Sequence, residues 1–103
     1  MMTWRVITTE DVQNDLDNFV YYLLVEKMNE QAANAVLDDY DETVDELANI
    51  AGTLSPLEDQ ELSQYRKIRF RRHNYYLLYR LEGDTAIVDR MFHDLQDLDK
   101  AMK

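Results

Sequence analysis

The sequence contains no cysteine, which excludes disulfide bonds and metal sites built from thiolates. It has only one proline and two glycines, so we expect few long loops. It also lacks any apolar run that could span a bilayer or serve as a signal stretch. These absences are typical of a protein of a reducing cytoplasm that does not bind membranes. The chain, residues 1–103, has the length of a single domain.

Basic side chains are scarce, because 11 Lys and Arg stand against 21 Asp and Glu and give a net charge of −10. This balance argues against a general nucleic-acid-binding protein, since phosphates are bound by a positive field. The charge is divided unevenly: residues 1–64 carry two basic and 15 acidic side chains, and residues 65–103 carry nine basic and six acidic ones. We therefore expect a basic region on an otherwise acidic protein.

The first half of the chain has the pattern of a short strand followed by two helices. Residues 4–8 predict the strand, and apolar residues at helical spacing predict an amphipathic helix over residues 10–28. A second helix with one apolar face extends to Ala51, and Gly52 is the expected C-cap. The link between the helices is short, which predicts an antiparallel hairpin. The carboxylates between residues 38 and 46 are expected on a solvated helix face.

The second half has the pattern of an antiparallel meander. Three runs rich in aromatic and aliphatic residues, 65–70, 75–81 and 85–93, are separated by two short polar breaks. Residues 94–102 predict a last helix that is capped by Asp94 and packed through Leu95, Leu98 and Met102. The element order β-α-α-β-β-β indicates an α+β domain in which the helix hairpin covers one face of the sheet.

Alternation along the strands separates a core face from an open face. We expect the following side chains to face the helices: Ile68, Phe70, Tyr75, Leu77, Tyr79, Leu81, Ala86, Val88 and Phe92. The open face then carries the candidate partner-binding residues Lys67, Arg69, Arg71, Tyr76 and Arg80. Three interpretations stay open: cations and tyrosine that bind a phosphate backbone and stack a base, a docking surface for an acidic protein segment, or charges that only protect an exposed sheet.

His73 and His93 are the only side chains whose ordinary pKa is near neutral. His73 lies in a predicted turn and His93 ends the last strand, and nothing in the sequence brings them together. We therefore favour structural roles for both, with proton transfer as the alternative. The sequence has no zinc-ligand spacing, no phosphate-binding glycine loop and no nucleophile elbow, so no metal and no cofactor are expected.

Three stretches together carry a family resemblance: YRKIRF at residues 65–70, YYLLYR at 75–80 and MFHDLQD at 91–97. In the order β-α-α-β-β-β, they resemble the RelE/ParE superfamily of toxins from bacterial type II toxin–antitoxin systems, and the ending is similar to that of the ParE-like branch. The resemblance implies a toxin that is neutralised by a cognate antitoxin. RelE-like members cut mRNA on the ribosome, whereas ParE-like members poison DNA gyrase.

The resemblance to the RelE branch is incomplete. Lys67 and Arg69 match its basic residues on the second strand, but Tyr76 and Gln96 stand where arginines are expected, and no tyrosine follows His93. If the chain were a metal-independent ribonuclease, its catalytic residues would be Lys67, Arg69, Arg71 and His93. The resemblance implies instead a non-nucleolytic, gyrase-directed toxin of the plasmid-stabilization type. A ribosome-dependent ribonuclease and a non-toxic binding module are the alternatives.

The expected partners follow from the same resemblance. The antitoxin is expected across the basic sheet face and the sheet edge, with gyrase or the ribosome as the cellular target. Tyr21 and Tyr22 lie beside the apolar face of the first predicted helix, where they either extend that face or form a homodimer patch.

Overall fold

The computed structural model describes residues 3–102, in which two helices cover one face of a four-stranded sheet. The elements are β1 Arg5–Thr8, α1 Glu10–Tyr21, a π-helical turn Tyr22–Glu26, α2 Glu30–Ile50, a 3₁₀ turn Gln60–Leu62, β2 Tyr65–Arg69, β3 Tyr75–Glu82, β4 Thr85–His93 and α3 Leu98–Met102. The predicted α+β class, the helix hairpin, the meander and the short last helix are confirmed. Among the described residues, no helix is long and apolar enough to cross a membrane.

The strand order in the sheet is β1-β4-β3-β2. The strands β2, β3 and β4 pair antiparallel, as predicted, whereas β1 pairs parallel with β4, with Arg5 opposite Thr85. The backbone N–H of Trp4 donates to the carbonyl of Ala48 at 2.8 Å and fixes the start of β1 against α2. The meander is thus extended by the first strand of the chain, a pairing that the sequence did not predict.

The first helix begins as expected and ends differently. The Thr9 hydroxyl accepts a hydrogen bond from the N–H of Val12 at 3.2 Å, and acidic residues occupy the positive first turn. The α-helical geometry then stops at Tyr21 instead of continuing to residue 28, and a π-helical turn follows. Met28 has φ 51°, a left-handed conformation that is uncommon for a residue other than glycine.

Gly52 does not have the predicted role of a left-handed C-cap. Gly83, in the β3–β4 turn with φ 58°, is the only glycine of the described residues with a positive φ. At Gly52 an added Cβ would lie 2.8 Å from Cζ2 of Trp4. Gly52 is therefore required for the close approach of the indole ring, which anchors the chain ahead of β1.

The main core lies between the helices and the sheet, and a bulge in β4 decides which residues enter it. Leu78 is opposite Arg90 but Tyr79 is opposite Val88, so that Asp89 is the extra residue. Beyond the bulge the alternation is inverted. The placement of Ala86 and Val88 in the main core is confirmed, whereas the placement of Phe92 there is wrong, because Met91 takes that position.

Phe92 belongs to a smaller cluster on the opposite face of the sheet. It packs there with Tyr76 and Leu78, and Leu98 and Met102 of α3 cover the three side chains. The last helix is shorter than predicted, because the Asp97 carboxylate accepts from the N–H groups that follow it and acts as the cap. Asp94 is not the cap, and Leu95 is 89% exposed instead of packed.

Candidate partner-binding site

The arginines of the meander are held by acceptors of the same chain. The Nη1 atom of Arg66 donates to the carbonyls of Gly52 and Leu54 at 3.2 and 2.6 Å. The ion pairs of the others are Arg69–Asp94, Arg71–Glu46, Arg72–Glu42, Arg80–Asp89, Arg80–Glu82 and Arg90–Asp15. The basic half of the sequence therefore neutralises part of the acidic half within the folded molecule.

Asp39 on α2 fixes the turn between β2 and β3. Its side chain has no exposed surface, and it accepts from the N–H groups of Arg71 and Arg72 at 3.2 and 3.0 Å. Its Oδ2 atom also lies 2.8 Å from Nδ1 of His73. Burial alone would raise the pKa of Asp39, but the hydrogen bonds from His73, Arg72 and Arg71 outweigh it and lower the pKa. His73 thus has the structural role that was favoured.

The acidic face of α2 is therefore not a solvated face throughout. Asp39, Glu42 and Glu46 are spaced by three and four residues, so they lie along one stripe of the helix. This stripe binds the β2–β3 turn through His73 and the guanidinium groups of Arg71 and Arg72. The expectation of a solvated face is wrong for Asp39, which is fully buried, whereas Glu42 and Glu46 pair with arginines of the turn while their side chains stay 48 and 30% exposed.

The predicted open basic face is only partly assembled. The structure brings together Lys67, Arg69 and Tyr76, with Arg69 opposite Tyr76 in the strand register and Nζ of Lys67 4.6 Å from the centre of the tyrosine ring. Arg71 leaves this face for α2, and Arg80 is paired with two carboxylates. Tyr76 is only 5% exposed, so the ring is not a free platform for base stacking.

His93 lies at the end of the sheet, where β3 starts. Its ring packs edge-on against that of Tyr75, with the centroids 5.2 Å apart, and its Nδ1 accepts from the N–H of Leu95 at 3.1 Å. A neutral His93 ring therefore carries its proton on Nε2. The residues named for RNA cleavage do not form one cluster, because Arg71 is bound to α2. Within residues 3–102, no group of three or more His, Asp and Glu side chains could hold a metal ion.

The sequence reasoning missed a mostly apolar groove next to His93. It has a volume of about 570 Å³ and lies between the end of α1 and the ends of β3 and β4. Its lining consists of Asn18, Phe19, Tyr22, Leu23, Tyr75 and His93. A signal was available in the sequence, since residues 18–25 form an uncharged run in a chain of which 31% is charged.

The π-helical turn forms the outer end of this groove. The N–H of Lys27 donates to the carbonyl of Tyr22 at 3.1 Å, the five-residue step of a π-helix. Tyr21, Val25 and Met28 are 62, 52 and 85% exposed. Exposed apolar side chains on a helix end of unusual geometry are typical of an interaction site. The groove and this turn are together the candidate partner-binding site.

The fold and the sequence both have known relatives. The family described as "ParE toxin of type II toxin-antitoxin system, parDE" matches residues 6–98 of the chain. No curated protein sequence matches significantly. One similar solved structure is the chromosomal ParDE toxin–antitoxin system from P. aeruginosa, with a TM-score of 0.73, 17% identity, and coverage of 90% of this chain and 98% of that chain.

Two further solved structures share the fold. The toxin–antitoxin complex RelBE2 from Mycobacterium tuberculosis has a TM-score of 0.57 and 23% identity over 90% of this chain and 93% of that chain. The solution structure of a conserved hypothetical protein from Helicobacter pylori has a TM-score of 0.54 and 17% identity over 87% of this chain and 93% of that chain. Since the family match extends over nearly the whole chain, from β1 to the start of α3, this protein belongs to the ParE toxin family of type II toxin–antitoxin systems.

Proposed function

We propose that this ParE-type toxin inhibits growth without cleaving RNA, that it acts on DNA gyrase in the cytoplasm, and that a cognate antitoxin neutralises it by direct binding. The antitoxin is supported by two of the similar structures, whose names are those of toxin–antitoxin assemblies. Gyrase as the target is supported by the family of the chain.

The observation that carries the non-nucleolytic mechanism is the occupied state of the residues that RNA cleavage would need. Metal-free cleavage requires a base for the 2′-hydroxyl, a positive charge for the phosphorane and an acid for the leaving oxygen. Arg69 and Arg71 are both paired with carboxylates, and Nδ1 of His93 is occupied by a backbone N–H. Of the four residues named from the sequence, Lys67 has no ion pair and His93 has only Nε2 left for proton transfer within residues 3–102, so one cation and one ring nitrogen would have to supply the positive charge, the acid and the base.

The direct test is induced expression of the chain alone, with growth, plasmid supercoiling and mRNA integrity measured in the same culture. We expect arrested growth, altered supercoiling and intact mRNA. The variant Lys67→Ala/Arg69→Ala should stay toxic, because neither side chain has a catalytic role in this proposal. Circular dichroism on the purified variant confirms that it is folded.

Two other outcomes would overturn the proposal in different ways. Arrest with cleaved mRNA that is lost in Lys67→Ala/Arg69→Ala would establish a ribosome-dependent ribonuclease. Normal growth in the presence of soluble, folded protein would establish a binding module that retains the fold without the toxicity. Antitoxin contact through Lys67, Arg69, Arg71, Tyr76 and Arg80 stays a prediction, which Lys67→Glu/Arg69→Glu tests through the affinity for the antitoxin.

A further inference from the structure

The groove beside α1 has the shape and chemistry of a receptor for one large apolar side chain. Phe19 and Tyr75 form its base, with ring centroids 4.9 Å apart, and Tyr22 at its wall is 44% exposed. Asn18 and His93 supply polar atoms at the rim. A mostly apolar concavity with a few polar groups is the usual form of a pocket that buries an anchor residue of a partner.

The helical segment that forms one side of the groove is acidic. Residues 10–26, which comprise α1 and the π-helical turn, contain five carboxylates and no basic side chain. Asp15 is the only one of the five that forms a salt bridge within the described residues 3–102. Glu26 is exposed and stands four residues beyond Tyr22, which places it on the same side of the helical turn. Lys27, which follows, is folded over the Tyr22 ring at 5.5 Å.

The basic side chains of the meander do not change this local balance. Their guanidinium groups form salt bridges with carboxylates of the same chain, so they offer little uncompensated positive charge to another protein. The charge that these salt bridges leave uncompensated is negative, in keeping with the net charge of −10. Opposite charge at the rim of an interface steers association and selects the partner.

A second copy of this chain is a poor occupant of the same site. A symmetric dimer would bring two copies of α1 together, and each copy would contribute four carboxylates that form no salt bridge within residues 3–102 against one lysine, Lys27. Like charges that face each other across an interface oppose association. The same charge disfavours a nucleic acid.

We infer that the groove lined by Phe19, Tyr22 and Tyr75 binds a basic segment of the partner protein that silences this toxin, with one large apolar side chain of that segment in the groove and Lys or Arg residues against Glu26 and the neighbouring carboxylates of α1. This inference rests on the proposed neutralisation by an antitoxin and adds the location and the charge of the contact.

The test is a selection of random peptides, displayed on phage, against the immobilised full-length chain. We expect the enriched peptides to combine a large apolar residue with a positive net charge. The best one is then synthesised, and its Kd is measured by fluorescence anisotropy against the wild type and four variants. The variants are Tyr22→Ala with Tyr21→Ala as its control, and Glu26→Gln with Glu58→Gln as its control.

We expect larger changes in Kd from the variants at the groove than from their controls outside it. Tyr22→Ala should raise the Kd roughly tenfold or more, as the loss of an aromatic anchor does, whereas Tyr21→Ala, outside the lining, should change it by less than about threefold. Glu26→Gln should raise the Kd by about threefold at low salt and by less at high salt. Glu58→Gln, an equal change of charge on the loop after α2 and outside the groove lining, should leave the Kd within about twofold.

Three results would overturn the inference: a consensus of acidic peptides, peptides that bind Tyr22→Ala as well as the wild type, or no enrichment over an unrelated acidic protein. A concentration-dependent dimer that Tyr22→Ala dissociates would also overturn it, because a second copy would then occupy the groove. Failure of the proposed function is distinguishable, since a chain that binds basic peptides through Tyr22 but does not arrest growth retains the surface and lacks the toxicity.

Discussion

Replacement of Asp39 by asparagine tests most directly whether this side chain holds the β2–β3 turn. The change is nearly isosteric, so it opens no cavity, but it removes the charge and replaces one carboxylate oxygen by an N–H₂ group. Oδ1 and Oδ2 together accept from the N–H groups of Arg71 and Arg72 and from His73 at 2.8–3.2 Å, in a site without solvent exposure. At least one of these donors then faces another donor. Hydrogen bonds to a buried charge contribute about 1.5–3 kcal/mol each, so we expect Asp39→Asn to lower the free energy of unfolding by roughly 2–3 kcal/mol.

The measurement is urea denaturation followed by circular dichroism at neutral pH. Asp38→Asn is the matched control, because Asp38 is adjacent in the sequence, exposed, and without a salt bridge among the described residues. A surface change of this kind should stay within about 0.5 kcal/mol of the wild type. If the two variants were equally stable, Asp39 would not hold the β2–β3 turn in the way described.

The pH dependence of the difference in stability between the wild type and Asp39→Asn gives a second check. The pKa of Asp39 is lowered from its ordinary value of 3.8 in the folded state, so its contribution to stability is fully present above that value. It is lost as the pH falls through the folded pKa, because protonation removes the negative charge and turns one acceptor oxygen into a donor. The difference in stability between the wild type and Asp39→Asn should therefore narrow as the pH falls below 3.8. A difference that stayed constant would contradict the assigned hydrogen bonds.

Three further substitutions have defined outcomes in the same denaturation assay. Gly52→Ala should cost roughly 1–3 kcal/mol and shift the fluorescence of Trp4, the only tryptophan, because the new Cβ would meet the indole ring at 2.8 Å; an unchanged spectrum would contradict this packing. Tyr79→Phe should cost about 1 kcal/mol, since its hydroxyl donates to a backbone carbonyl at 2.7 Å. Burial raises the pKa of Tyr79 to about 12, so absorbance titration of this variant should lose part of the late tyrosine ionisation. Asp15→Ala should cost about 2 kcal/mol through the lost contacts to β4, whereas the exposed neighbour change Asp17→Ala should stay within about 0.5 kcal/mol; equal effects would refute the pairing.

Local patterns predicted the elements well because each strand and helix has its own periodicity. The alternation in β3 placed Leu77 and Tyr79 in the main core, and the structure confirms it. The same rule failed in β4 beyond Asp89, because one extra residue inverts all later side chains and nothing in the composition of the strand announces the bulge. The end of α1 at a π-helical turn is similarly invisible to a count of helical spacings.

The candidate site was harder to predict because charge pairing is a tertiary property. The concentration of arginine in residues 65–93 indicated a free basic face, but Arg71, Arg72 and Arg90 pair with carboxylates of the two helices, which are distant in the sequence. A sharper prediction was possible from the carboxylate stripe of Asp39, Glu42 and Glu46, whose spacing matches a compact set of donors in the β2–β3 turn. The parallel partner of β1 could not be inferred from pattern alone, since any open edge of the sheet would accept a short strand.

The parallel pairing of β1 with β4 has a consequence for folding during synthesis on the ribosome. Arg5 has no neighbour in the sheet until Thr85 has been synthesised, because β4 is the only strand that pairs with β1 in the described part of the chain. Contacts between such distant residues form slowly, since a long loop must close before they add stability. The sheet therefore cannot be completed on the ribosome before the last strand emerges. A chain that is terminated before Thr85 lacks β4, the strand that pairs with β1. It also lacks the part of the groove that His93 contributes.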